Sequence, residues 1–155
     1  MEKIEAILQD LIKKVPQIRA AAVANMEGIV MASELGGEIN EENFGAISAA
    51  LVGLGDTVLS ELKGGSLSEV YVKGKERMLL LYRISKDYLL ALSITTDASL
   101  GLLLVEVRKA AKLIKKNIDE LEQAASASES DVQELFGGDT SFLEGLSFTD
   151  LLDEE

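Results

Sequence analysis

The stretch from Asn43 to Leu62 constrains the fold more than any other, because it is too apolar on too many sides for a helix with one face in water. Wound at the helical period, Phe44, Ile47, Leu51, Leu54, Val58 and Leu62 form a stripe at i, i+3, i+4 spacing, which predicts that this side seats the helix on its own domain. The opposite side carries Gly45, Ala49, Gly53, Asp56 and Ser60, and Glu61 is the only other ionisable residue in the segment. Glycines at 45, 53 and 55 each cost a helix interior about 1 kcal/mol relative to alanine, so something must offset them. Close approach of another backbone is the expected reason, and the small-residue side is predicted to meet a partner. The competing reading is a self-contained core helix that simply lacks surface charge.

A chain of 155 residues is long enough for one sizeable core and short for two, so one domain with a tail is expected. Without cysteine there are no disulfides, thiolate nucleophiles or thiolate metal sites, and a reducing compartment is compatible. The absence of histidine also removes the usual zinc and iron ligand sets and every triad with imidazole as its base. No cofactor and no metal are therefore expected. Met1 to Lys14 is a charged amphipathic pattern, unlike a secretory leader. Runs such as Met78 to Tyr82 and Leu102 to Val105 fall short of the ~20 residues a bilayer span needs. A cytoplasmic protein without membrane insertion is expected.

The net charge of -12 is uneven. Residues 1 to 123 hold all 15 Lys and Arg against 18 acids, whereas residues 124 to 155 hold nine acids and no base. Neither part offers the basic surface that nucleic acid requires.

In chain order, Glu2 to Val15 reads as a helix stopped by Pro16, and Ile18 to Ala24 with Ile29 to Ser33 as a hairpin turning at Asn25 to Gly28. The apolar helix follows, ending at Lys63-Gly64-Gly65. Leu67 to Lys73, Arg77 to Ile84 and Tyr88 to Ile94 are three strands joined by short charged turns. The alternation of Leu67 to Lys73 marks an edge strand, and Met78 to Tyr82 lacks alternation, as a central strand does. A last helix spans Ala98 to Gln123, with Leu100, Leu103, Leu104, Val107, Ala111, Ile114, Ile118 and Leu121 on its buried side. The predicted fold is α/β, in the order α-β-β-α-β-β-β-α, with a five-stranded, mainly antiparallel sheet. The first and third helices cover one face and the second helix covers the other. One helix covers such a face poorly, and an identical subunit would meet the bare face, the open edge and the small-residue side together. Residues 1–123 form the expected domain and 124–155 an acidic, flexible tail with a small polar linker at Ala124 to Ser130.

These elements resemble the Roadblock family, the dynein light-chain-like domain with many bacterial and archaeal members, over Val15 to Lys116. The likeness is carried by Val15-Pro16-Gln17-Ile18-Arg19-Ala20-Ala21-Ala22-Val23, by Glu27-Gly28 leading into Ile29 to Ser33, and by Leu100-Gly101-Leu102-Leu103-Leu104-Val105-Glu106-Val107-Arg108-Lys109-Ala110. Gln17 stands where the pattern has glycine. The resemblance implies a homodimer in which the edge strand pairs with its copy and the second helices pack side by side. Gly45, Ala49, Gly53, Asp56, Leu67, Glu69 and Tyr71 are the expected interface. It further implies a regulator of a Ras-like small GTPase, as MglB-like proteins are GTPase-activating proteins, or else a non-catalytic scaffold for signalling or motor complexes.

Arg19, Arg77 and Arg83 are the candidates for an arginine finger, weighed against solvated strand ends, and no catalytic residue is assigned. Lys73-Gly74-Lys75 is a hairpin turn and matches no phosphate-binding loop. Arg108, Lys109, Lys112, Lys115 and Lys116 read as a solvated helix face. In the tail, Phe136, Phe142, Leu143, Leu146, Phe148, Leu151 and Leu152 punctuate the acidic stretch, which predicts a segment that folds on a further protein partner. The alternative is a terminus that is merely acidic.

Overall fold

The computed structural model describes residues 1–135, with side chains as far as 127. Its elements are α1 (Glu2–Lys14), β1 (Ile18–Asn25), β2 (Val30–Glu34), α2 (Glu41–Leu62), β3 (Glu69–Lys73), β4 (Arg77–Arg83), β5 (Tyr88–Thr95) and α3 (Leu100–Leu135). Every predicted element is present and in its predicted order. The strands lie in the order β2-β1-β5-β4-β3, and every neighbouring pair is antiparallel. The sheet belongs to a compact unit, Met1–Asn117.

Strand alternation sorts the sheet residues into two cores. Ala24, Leu81, Leu89 and Ala91 cluster with Val52 of α2 and with Leu67. Their alternates, Val23, Leu80, Leu90, Leu92 and Ile94, are fully buried on the other face. That face is covered by Ile4, Leu8 and Leu11 of α1 and by Leu103, Val107, Ala111 and Ile114 of α3. The two helices run side by side, sharing a narrow cleft between Ile7 and Leu11 on one and Ala110 and Leu113 on the other. Helices one and three thus share a face and helix two holds the other, as expected.

Local chemistry explains the turns. The Asn25 side-chain oxygen accepts from the N–H of Glu27 and of Ile29, each at 3.0 Å, closing the β1–β2 turn. Gly28 completes it at φ +89°, a conformation that strains other residues. The Gln17 carbonyl accepts from the Thr95 N–H at 2.9 Å and starts the β1–β5 pairing. Asn40 caps α2, its side-chain oxygen accepting from the Asn43 N–H at 2.9 Å. The end of α2 differs from the expected glycine stop, because Lys63 itself takes the left-handed conformation at φ 53°.

Three further expectations need correction. Ala124 to Ser130, read as a linker, lies within α3. Neither glycine nor proline occurs from Leu102 to Phe136, and alanine is the best helix former, so nothing in the sequence stops the helix there. Leu100 and Leu121, assigned to the buried side, are exposed. The third concerns length: α2, whose 22 residues include an 18-residue window of mean hydropathy 1.3, is by length and composition apolar enough to cross a membrane. It is seated on the sheet through Gly45, Ser48 and Val52, which makes it a helix of the globular unit.

Candidate functional site

The inner side of α2 is rotated partway round from its stripe and takes residues from both predicted sides. Gly45, Ser48 and Val52 are its buried residues, while Phe44, Ala49, Leu51 and Leu59 pack half-buried against the same core. Outside, Ile47 is 56% exposed, Leu54 63%, Val58 54% and Leu62 71%. The reason is close approach. A Cβ on Gly45 would fall on the Gly28 carbonyl oxygen and within 2.8 Å of Val30 Cγ2. One on Gly55 would meet Leu67 at 3.0 Å. Gly45 and Gly55 bring the helix down onto its own sheet, and Ile47, Leu54, Val58 and Leu62 are left facing out.

This placement redistributes the predicted interface residues. Gly45 and Leu67 are interior to the chain, and Ala49 is half-buried against its core. Gly53 is exposed and faces open space. Asp56 is exposed and forms a two-oxygen ion pair with Arg83 Nη1, at 3.0 and 3.2 Å. Glu69 and Tyr71 lie on β3, one of the sheet's two edges. The residues that the sequence reasoning placed on the wrong side are Ile47, Leu54, Val58 and Leu62, and it passed over Val72, 46% exposed on the same edge. The glycine at 28, opposite a helix with a glycine at 45, was the available signal.

The two edges differ. The β2 edge is flanked by neighbouring helices, whose side chains bond to it through Gln9 to Glu34 at 2.7 Å and Ser33 to Glu41 at 2.8 Å. The β3 edge presents Tyr71 and Val72 to solvent with no comparable cover among the described residues. An unguarded edge beside an apolar helix face is a template for another chain.

At the start of β3 an open cleft of about 590 Å³ is lined by Asp56, Ser66, Ser68, Glu69, Arg83, Lys86 and Arg108, among others. Arg83 is not free to act as a finger. Besides Asp56, it donates to the carbonyls of Ser85 and Lys86, each at 3.2 Å, which leaves it strapping the β4–β5 turn to α2. Arg19 and Arg77 are exposed on their strands. Among the described residues no group of three or more carboxylates comes together in a way that could hold a metal ion. The tail residues Phe136, Phe142, Leu143, Leu146, Phe148, Leu151 and Leu152 lie outside the described residues.

Tyr71 donates its hydroxyl to the Glu69 carboxylate. Desolvation first, and then the hydrogen bond and charge of Glu69, push its phenol up to about 12, while Arg108 opposes the rise. A raised phenol favours the neutral folded form, so its contribution to stability is present below pH ~10 and is lost as the pH rises toward 12. The absorbance titration of the chain minus that of Tyr71→Phe should show a phenolate step near pH 12. In the Glu69→Gln background the step should fall only part of the way back, since the desolvation remains.

Comparison with known proteins agrees with this architecture. The profile of the Roadblock/LC7 domain family matches residues 4–93. The uncharacterised protein MJ1340 of Methanocaldococcus jannaschii is 30% identical over 114 residues, spanning 72% of this chain and 96% of its own. Among solved structures, Myxococcus xanthus MglB superposes with a TM-score of 0.71 at 17% identity, covering 76% of this chain and 96% of that one. MglB in a tetrameric arrangement gives 0.69 at 17% identity, covering 77% and 90%. At these identities the structural likeness establishes the fold.

Proposed function

Because the chain belongs to the Roadblock/LC7 domain family, we propose that it is a cytoplasmic, homodimeric platform that binds a Ras-like small GTPase and regulates it, without catalytic residues of its own. One observation carries the dimer: the exposed stripe Ile47, Leu54, Val58 and Leu62 lies on a helix whose inner side is already filled, in a sheet whose β3 edge is open. A two-fold contact presents the same patch from both copies, so one identical subunit covers both features at once. Gly53, open and small, adjoins Leu54 of that stripe. The family's resemblance to MglB-like regulators supports the GTPase as the partner of the assembled surface.

A second reading, a scaffold that binds without altering hydrolysis, is favoured by Arg83. Its hydrogen bonds to Asp56, Ser85 and Lys86 hold it against the chain rather than out toward a nucleotide. The two are separated by GTP hydrolysis of Ras-like GTPases from the same organism, measured with and without the full chain. Faster turnover is the expected result. Binding without acceleration establishes the scaffold, and absence of binding to any of them contradicts both.

A further inference from the structure

We propose that two copies of this chain join at β3 in a single register, with the two-fold axis at Tyr71 and Glu69 of each copy opposite Lys73 of the other. The inference rests on the homodimer proposed above and specifies how its sheet edges meet.

The backbone fixes half of the answer. The Arg83 N–H donates to the Ser68 carbonyl at 2.9 Å, and the Gly74 N–H donates to the Arg77 carbonyl at 2.8 Å. Between them the antiparallel register runs from Glu69 opposite Tyr82 to Lys73 opposite Met78. In an antiparallel ladder, residues alternate between bonding to one neighbour and to the other. Ser68, Val70, Val72 and Gly74 therefore turn their N–H and C=O toward β4, and Glu69, Tyr71 and Lys73 turn theirs outward. A second copy pairing about a two-fold must bond these outward residues to one another, which restricts the axis to one of the strand's own residues.

Charge decides among those positions. An axis at Glu69 sets that carboxylate against itself, and one at Lys73 does the same to two ammonium groups. An axis at Val70 places Lys73 opposite Leu67, beyond the other copy's strand. An axis at Val72 leaves Glu69 facing Lys75, likewise outside the strand. The axis at Tyr71 keeps all five residues paired: Glu69 with Lys73 twice, Val70 with Val72 twice, and Tyr71 with itself. Opposite charges directly across a ladder are favourable and like charges are not. The strand Glu69-Val70-Tyr71-Val72-Lys73 is thus complementary to its own reverse.

Packing agrees. Val70 already packs against the core beneath α2, and Val72, two residues on, shares that face. The register lays the exposed Val72 of one copy beside Val70 of the other, on the side where the apolar stripe of α2 also lies. Glu69 accepts the Tyr71 hydroxyl through Oε2, which leaves its second oxygen for the incoming Lys73.

The chain contains no cysteine, so single cysteines report proximity without background. Val70→Cys, Tyr71→Cys and Val72→Cys are compared in the full chain under mild oxidation, with molar mass measured in parallel. Tyr71→Cys is expected to cross-link fastest, because residues facing each other in a hydrogen-bonded pair lie about 5.5 Å apart between Cα atoms, within disulfide reach. In the same register, Glu69→Lys and Lys73→Glu each weaken the dimer by about ten-fold, and together they restore it. A dimer that cross-links fastest at Val70 or Val72, or that the double exchange fails to restore, overturns the register and leaves the homodimer standing. A monomer overturns both.

Discussion

Replacing Leu54 and Val58 together by aspartate is expected to yield a monomer that is still folded. Both side chains are more than half exposed in the single chain, so the fold loses little when they change. In the proposed dimer they are covered. Burying what remains exposed of each contributes roughly 1 kcal/mol, and seating an aspartate there adds a desolvation cost of about 1 to 3 kcal/mol. Each substitution occurs twice in a homodimer, so the loss is at least ~4 kcal/mol, about three decades in Kd. Light scattering should report the mass of one chain, with circular dichroism unchanged. A double variant that keeps the wild-type dimer mass would show that this stripe is not the seam. Ala49→Arg is a poorer test of the same seam, since Ala49 packs against the chain's own core and an arginine there would disturb folding.

The second large effect sets two glycines of one helix against each other. Gly45→Ala is expected to destabilise the fold by about 1 to 3 kcal/mol, even though alanine gains about 1 kcal/mol in helix propensity. The new Cβ meets the Gly28 carbonyl, which is backbone held in the β1–β2 turn and cannot retreat. Gly53→Ala has nothing within 4 Å of its Cβ and should stabilise the helix by up to about 1 kcal/mol. Made in the Leu54→Asp, Val58→Asp background, where no partner covers the helix, the two variants should move the thermal midpoint in opposite directions by several degrees. Equal shifts of the same sign would refute the orientation of α2.

That orientation is where the sequence was least legible. Periodicity located α2 to within two residues of its start and matched its end, because helical spacing and the Lys63-Gly64-Gly65 segment are local signals. Which side faces inward is not local. Both sides of the helix are apolar or small, so the stronger stripe carried no information about direction. The decision was made by size, since Gly28 and Val30 leave room only for a glycine at position 45. The β3 edge was legible for the opposite reason. Alternation and mixed polarity are written into Glu69 to Lys73, and the sheet order places that strand at the end as expected. In α3 the composition of Ala124 to Ser130 suggested a linker, yet a run without glycine or proline suits a helix as well as a linker. The family resemblance carried what no single residue could, namely the family to which an element order of this kind belongs.

The central claim is that the exposed face of α2 and the open β3 edge are covered by a second copy of the same chain. Sedimentation equilibrium of the full-length wild-type protein at micromolar concentration tests it most directly. The expected molar mass is twice the 16.7 kDa of the single chain, independent of loading concentration. A mass of 16.7 kDa at every concentration would contradict the claim.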